Sequence, residues 1–286
     1  MQIFVVAEAL LDCLKQYKNE GKKIGFVPTM GALHQGHISL VASAKIRSDI
    51  TVVSIFVNPT QFNNPEDFRL YPAQPEKDIA LLEKAGCDVL FMPAPDEVYP
   101  HGTQQLKTYD LGFLEQIMEG KFRPGHFQGV CQVVDRLLEI VHPDILFLGR
   151  KDLQQCKVVE RLLALTGKSH EIQLEICPTM READGLAMSS RNLRLSAEER
   201  KKAALIYKAL TELKETFGQA DFEEKIKSTT NQLEDAGFLV EYLEIVDSQT
   251  LEIANKPSAG RNITACIAVF LGKVRLIDNM ILYTVQ

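Results

Sequence analysis

The feature that most limits what this chain can fold into is an alternation. Across residues 1–180, short β-branched apolar runs take turns with stretches whose apolar residues recur at helical spacing. The runs "KIGFVPT", "ITVVSIFVNP", "CDVLFMPAP", "DILFLG" and "EIQLEICPT" read as strands. Between them, "HISLVASAKIRS", "QPEKDIALLEKAG", "GHFQGVCQVVDRLLEIVHP" and "KDLQQCKVVERLLALTG" read as helices. "ITVVSIFVNP" is apolar throughout, as a strand covered on both faces must be. Pro75 near the start of one helix and Gly86 just past its end fit helix-boundary chemistry. Such a pattern predicts an α/β fold, a parallel sheet with helices on both faces. Ligands in such folds bind beyond the carboxyl ends of the strands.

After Met180 the pattern changes. "SAEERKKAALIYKALTELKETFG" predicts one long helix, opened by the S-x-x-E capping-box spacing of Ser196 and Glu199. "ADFEEKIKSTTNQLEDAG" predicts a second. "LVEYLEIVDSQTLEI" and "NITACIAVFLGKVRLIDNMIL" then supply strands with no helix between them, a smaller C-terminal α+β domain with antiparallel pairing. The expected division is 1–180 and 181–286, across the polar turn "READGLAMSSRN".

A net charge of −6 argues against a general nucleic-acid binder, which normally carries a basic face. It leaves room for a local basic pocket. The six cysteines are scattered and form no C-x-x-C pair, so reduced thiols in a cytoplasmic protein are expected, not a zinc site or a disulfide framework. The stretch "MQIFVVAEALLDCLKQ" has no basic n-region and is interrupted by Glu8 and Asp12, unlike a signal peptide. No apolar run approaches the roughly 20 residues of a membrane span, so no membrane partner is expected.

Five segments leave predicted strands or open helices with residues suited to chemistry. In "MGALHQGH", Gly31 and Gly36 stand between a strand and a helix, with His34 and His37 three apart. Backbone N–H groups in such a turn can converge on phosphate oxygens. The continuation His37-Ile38 fails the P-loop pattern, and Ala32-Leu33 after Gly31 fails the dinucleotide pattern. A glycine turn with incidental histidines, or a helical metal pair, stay open as alternatives. "TGKS", residues 166–169, follows a helix and reads as its C-cap. "SIFVNPTQF" places the amides of Asn58 and Gln61 at a strand end, where they can bond a hydroxyl or a carboxylate. "GKFRPGHFQGV" gathers Lys121, Arg123 and His126, which suit an anion or simply a solvated loop. "FLGRKDLQQ" offers Gly149 for close approach, Lys151 as a point charge, Asp152 as a cap or acceptor, and Gln155 one turn on. "MSSRN" supplies two hydroxyls and Arg191.

In this order these segments, "PTMGALHQGH", "VNPTQF", "RPGHFQGV", "GRKDLQQ" and "READGLAMSSRN", closely resemble the pantothenate synthetases, pantoate–β-alanine ligases of the H-x-G-H nucleotidyltransferases. The first motif alone indicates only that broader group. The resemblance implies a Rossmann-like sheet and ATP-dependent joining of pantoate to β-alanine through a pantoyl adenylate, releasing AMP and pyrophosphate. It also implies Mg²⁺ and a homodimer. His34, His37 and Lys151 match residues that contact ATP phosphates and carry the chemistry. Met30, Gly31, Ala32, Leu33, Gln35, Gly36, Gly149, Arg150, Asp152, Met180, Met188, Ser189, Ser190 and Arg191 match the rest of the nucleotide-contacting segments. Gln61 and Gln155 match the glutamines that hold pantoate, with Asn58 beside them; Arg123 matches a basic residue at the site mouth. Arg150 stands where many members carry an acid, and Ala73 where arginine is common; both bear on detail and not on activity. The rivals are another nucleotidyltransferase acting on a phosphate ester, whose acceptor site should be more basic than "NPTQF", and a nucleotide-binding module without catalysis.

Overall fold

The computed structural model describes residues 1–62, 65–256 and 260–284. The chain divides into two compact units, one of Met1–Arg150 with Gln155–Pro178, the other of Lys151–Gln154 with Thr179–Gln286.

The first unit is built on a parallel sheet of six strands: β1 (Gln2–Phe4), β2 (Ile24–Thr29), β3 (Ile50–Ile55), β4 (Val89–Phe91), β5 (Ile145–Gly149) and β6 (Gln173–Cys177). Their order is β1-β4-β3-β2-β5-β6. Five strands were expected; β1 is the addition. It pairs with β4 from Gln2↔Val89 to Phe4↔Phe91 and leads into the helix Ala7–Asn19, which buries Leu10 and Leu14. Three residues are too few to show a period, so β1 leaves no pattern in the sequence.

Alternation along the strands sends side chains into two cores. Phe26 of β2 and Val52 of β3 pack with the helices Ala7–Asn19 and His126–Val141 and with Cys156, Val159 and Leu162 of the helix Leu153–Leu165. Their neighbours Val27 and Val53 face the opposite way, onto Leu40, Val41 and Ala44 of the helix Gln35–Arg47 and onto Leu82 of the helix Pro75–Lys84. Both faces are therefore dry, as the unbroken apolar runs required, and each fully buried aliphatic or aromatic side chain contributes about 1.5–3 kcal/mol.

Strand order locates the crevice. The chain lays β2, β3 and β4 outward in one direction, then returns to place β5 on the other side of β2. The carboxyl ends of β2 and β5 flank this reversal, the position where open α/β sheets bind ligands. The pairing Gly25↔Ile145 sets Thr29 and Gly149 level, each four residues further along its strand. "MGALHQGH" follows the first strand and "RKDLQQ" the second.

β3 stops at Ile55, short of the expected Pro59. A proline has no N–H for the ladder, and the chain turns instead into a 3₁₀ helix, Pro59–Gln61. "TGKS" does close a helix: Gly167 adopts the left-handed conformation (φ 73°) and donates to the Ala164 carbonyl at 3.2 Å.

In the second unit an antiparallel sheet, β7 (Phe238–Asp247), β8 (Ile263–Leu271) and β9 (Val274–Tyr283), is covered by helices Leu205–Thr216 and Phe222–Asp235. Ile206, Leu210, Leu213 and Leu233 meet Ile245, Ile267 and Val269 in its core. The capping box forms: Ser196 N–H donates to the Glu199 carboxylate at 2.8 Å, and Glu199 N–H to the Ser196 hydroxyl at 3.3 Å. The long helix it opens is interrupted at Ala204, giving Ala197–Ala203 and Leu205–Thr216, and no proline or glycine marks that break.

Among the described residues no two cysteines form a disulfide, and five of the six are buried. Burial pushes the Cys87 and Cys131 thiols up to about 12, far from the thiolate that reacts. Among the described residues no helix is long and apolar enough to cross a membrane.

Candidate active site

The histidine turn begins with a hydroxyl. Thr29 Oγ1 donates to the Ser54 carbonyl at 2.7 Å and accepts from Gly31 N–H at 3.2 Å. Gly31 and Ala32 are both left-handed (φ 80° and 49°), a conformation that costs a residue with a Cβ and persists where the surroundings hold it. Asp78 does the holding. Its carboxylate, 1 % exposed, accepts from Ala32 N–H and Leu33 N–H, each at 2.8 Å. Burial raises the Asp78 pKa, and these two bonds oppose that rise. The expectation that this turn's N–H groups converge on phosphate oxygens is thus corrected for Ala32 and Leu33: an internal carboxylate already takes them. Asp78 was not singled out in the sequence, where it is one acid in a polar helix start.

The helix Gln35–Arg47 opens on the two histidines. His34 is its N-cap, with Nδ1 accepting from Gly36 N–H at 3.1 Å. His37 Nδ1 accepts from His34 N–H at 3.3 Å, and the two rings lie 4.1 Å apart. A nitrogen that accepts from an amide N–H carries no proton, so each neutral ring holds its proton on Nε2. The turn therefore presents two imidazole N–H donors in place of backbone ones.

The amide turn lies in the same unit. Asn58, 1 % exposed, donates through Nδ2 to Gln61 Oε1 at 3.2 Å and to the Gly129 carbonyl at 3.1 Å. Its Oδ1 accepts from Thr60 N–H, the Thr60 hydroxyl and the Tyr99 hydroxyl, the last at 2.9 Å. One Asn58 donor thus goes to Gln61 within the turn and the other to the neighbouring helix, so in this structure the amide expected to face a substrate is bonded internally. Gln61 lies against Met30, with Nε2 2.8 Å from the Met30 sulfur. The turn can sit this close to the helix His126–Val141 because position 129 is glycine: a Cβ there would strike Thr60 O and Gln61 Cα.

"GKFRPGHFQGV" holds fewer cations than its composition implies. His126 is buried, and its Nδ1 lies 2.7 Å from the Gln61 carbonyl, which can only accept. Its Nε2 lies 3.0 Å from an Arg123 N–H, which can only donate. Both contacts are satisfied by one species, the neutral ring protonated on Nδ1. Arg123 also pairs with Glu119 at 3.5 Å, while Lys121 is exposed over the Phe122 ring. Gln155, half-buried, and Gly149 and Arg150 complete the expected residues of the first unit.

The second unit carries the others. The Lys151 ammonium pairs with Asp152 at 2.8 Å, so Asp152 serves as its counter-ion. The Lys151 carbonyl accepts from Asn279 Nδ2 at 2.8 Å. Met180 and Met188 are brought opposite one another, Met188 N–H donating to the Met180 carbonyl at 3.0 Å. The Ser189 hydroxyl accepts from Arg191 N–H at 3.3 Å, at the start of the 3₁₀ helix Ser190–Arg194; Ser190 is buried. Asp278 and Asn279, buried in a strand, are not among the expected site residues, and neither is Arg181, which binds them and opens the segment "READGLAMSSRN"; the polar pair "DN" inside "RLIDNMIL" is the available signal.

Among the described residues no group of three or more His, Cys, Asp or Glu side chains is placed to hold a metal ion. A cavity of about 460 Å³ elsewhere in the first unit is lined by Lys107, Tyr109, Asp135 and Lys168 among others, and includes none of the expected site residues.

The same architecture recurs in known proteins. The family model described as pantoate-beta-alanine ligase matches residues 2–281. Pantothenate synthetase of Cytophaga hutchinsonii is 46% identical over 94% of this chain and 95% of its own, and that of Christiangramia forsetii 46% identical over 99% of each. The crystal structure of pantothenate synthetase from Thermus thermophilus superposes with a TM-score of 0.91 at 40% identity, covering 99% of this chain and 100% of that one. That of pantoate-beta-alanine ligase from Francisella tularensis, complexed with beta-gamma ATP and beta-alanine, gives 0.85 at 38%, covering 99% and 98%. With its six-strand parallel sheet, its antiparallel C-terminal sheet and a match that runs nearly from end to end, the chain belongs to the pantoate–β-alanine ligase family.

Proposed function

We propose that this chain condenses (R)-pantoate with β-alanine to give pantothenate, using ATP and passing through a pantoyl adenylate. The observation that carries the reading is the near-complete match to the family model, residues 2–281. The solved relative complexed with beta-gamma ATP and beta-alanine supports both substrates.

A carboxylate resists attack by an amine, so it must first be activated. A pantoate carboxylate oxygen attacks the α-phosphorus of ATP; the bond to the β-phosphate oxygen breaks, and pyrophosphate leaves with the electron pair. The neutral amine of β-alanine then attacks the acyl carbon, AMP departs, and the nitrogen loses a proton. In the first step charge grows on phosphate oxygens. The Nε2–H groups of His34 and His37, the Lys151 ammonium and Arg191 are the donors this chain offers for it. Met30, Gly149, Asp152, Met180, Met188, Ser189 and Ser190 line the nucleotide. Gln61 and Gln155 hold pantoate, with Arg123 at the mouth. Because both imidazoles already carry a proton on Nε2, they act as donors, and the amine proton goes to water or to the departing AMP phosphate.

Mg²⁺ belongs to the same proposal and would be carried by the triphosphate, the usual mode for a cation that keeps its waters. Asp152, whose carboxylate can accept from a metal-bound water, is the residue that would face such a cation. When bound it adds positive charge to the phosphates. The segment 181–286 acts as a lid that keeps water from the mixed anhydride. The enzyme works in the cytoplasm as a homodimer, which sedimentation equilibrium tests directly.

ATP–pyrophosphate exchange tests the reading. Exchange that depends on pantoate, followed by AMP and pantothenate release on adding β-alanine, is expected. Exchange that proceeds equally without pantoate would refute it. The lid is tested separately: ATP with pantoate should slow hydrogen exchange within 181–286, and unchanged exchange rejects that role.

A further inference from the structure

We infer that Asn279 is a positioning residue for Lys151. The inference rests on the reading that Lys151 serves the triphosphate.

β9 is an apolar strand interrupted by two adjacent polar residues, Asp278 and Asn279, each 4 % exposed. Buried polar groups cost stability unless they are bonded, so each must have a use. Asp278 binds Arg181 through two hydrogen bonds, 2.6 and 3.0 Å, and accepts from Asn279 N–H at 2.7 Å. Arg181 also donates to the Asn279 carbonyl at 3.1 Å and to the Gly185 carbonyl at 3.0 Å, and its guanidinium lies 4.7 Å from the Tyr207 ring centre. The Asn279 backbone is therefore gripped on both sides by a buried ion pair. From this frame its side chain donates to the Lys151 carbonyl at 2.8 Å, across 128 residues of sequence.

That bond lies within the second unit. Residues Lys151–Gln154 follow β5 directly, yet they group with the second unit and not with the strand they leave. Lys151 has a flexible four-carbon stem, and its ammonium can be aimed only if the stem starts from a fixed point. Asn279 supplies it, by holding the peptide group at the root of the side chain. A displacement of about 1 Å in a charged group can cost on the order of 10²-fold in rate, so a residue that touches no substrate can still govern the step.

A double-mutant cycle tests the link. Asn279→Ala and Asn279→Ser are made in the wild type and in Lys151→Ala, and pantoate-dependent ATP–pyrophosphate exchange is measured. In the wild type each should lower the exchange rate about 10-fold or more with little change in KM for pantoate. In Lys151→Ala the same substitutions should cost less than about 2-fold further, because the side chain they aim is gone. Equal losses in both backgrounds mean a general structural role and overturn the inference, as does an unchanged rate in the wild type. If Lys151→Ala alone leaves exchange intact, the reading of Lys151 has failed and takes the inference with it. Hydrogen exchange within 151–154 gives an independent readout for a variant of reduced stability. It should rise selectively in Asn279→Ser, and lost activity with wild-type protection there refutes the link.

Discussion

Both histidines of the turn spend Nδ1 on backbone N–H groups, so capping and donation are separate jobs of one ring. His34→Asn divides them. Asparagine is among the best N-cap residues, so the variant should keep its stability within about 0.5 kcal/mol. It lacks an N–H at the Nε2 position, and pantoate-dependent exchange should fall by about 10²-fold, as for loss of one donor to a developing charge. A urea midpoint and the exchange assay on one preparation decide it; full activity would reduce His34 to a cap. The turn was legible because its glycines, histidines and flanking strand are contiguous in sequence. Asp78 was not, because its partners Ala32 and Leu33 lie 46 and 45 residues away and its burial depends on how a helix docks. With that carboxylate in place the turn is held by internal bonds, which lowers the ordering cost of any ligand it takes.

At the scale of elements, the 3₁₀ helix Pro59–Gln61 and the helix His126–Val141 are in close contact at Gly129, beside the Gln61 proposed to hold pantoate. Gly129→Ala should gain up to about 1 kcal/mol in helix propensity and lose about 1–3 kcal/mol by overpacking against Thr60 and Gln61. The net effect is destabilising, with a raised KM for pantoate because Gln61 shifts; a KM that stays at the wild-type value would separate Gln61 from this contact. A second element-level joint is Asp135 in that same helix. Burial pushes its pKa up, but hydrogen bonds from Lys168 (2.6 Å) and Tyr109 (2.8 Å), with the Lys168 and Lys107 charges, outweigh burial and hold it below the ordinary 3.8. The folded value lies below the unfolded one, so this stabilisation is complete above about pH 4 and fades as pH falls through the folded pKa. Lys168→Met should cost about 1–3 kcal/mol at neutral pH and flatten the stability loss between about pH 4 and 2; parallel pH curves for the two proteins would contradict the assignment. The strand–helix alternation was readable from periodicity alone, but this joint was not. Asp135 and Lys168 look like ordinary surface charges until the packing of their elements is known.

At the scale of the whole molecule, the sequence reading placed the change of architecture near Met180, where helix-separated strands give way to consecutive ones. Nothing in the pattern marks residues 151–154 as grouping with the C-terminal part, because contacts across more than a hundred residues of sequence leave no periodicity. The backbone passes between the two units three times, at 150/151, 154/155 and 178/179. Neither unit is one continuous segment of the chain. A recombinant piece starting at Thr179 should therefore denature at lower urea than the same residues in the parent protein, and adding the peptide 151–154 in excess should recover little, since tethering supplied its effective concentration. Any single crossover between residues 151 and 279 takes the lysine from one parent and the asparagine that grips its carbonyl from another, so recombination between relatives should tolerate junctions before 151 better than junctions after it.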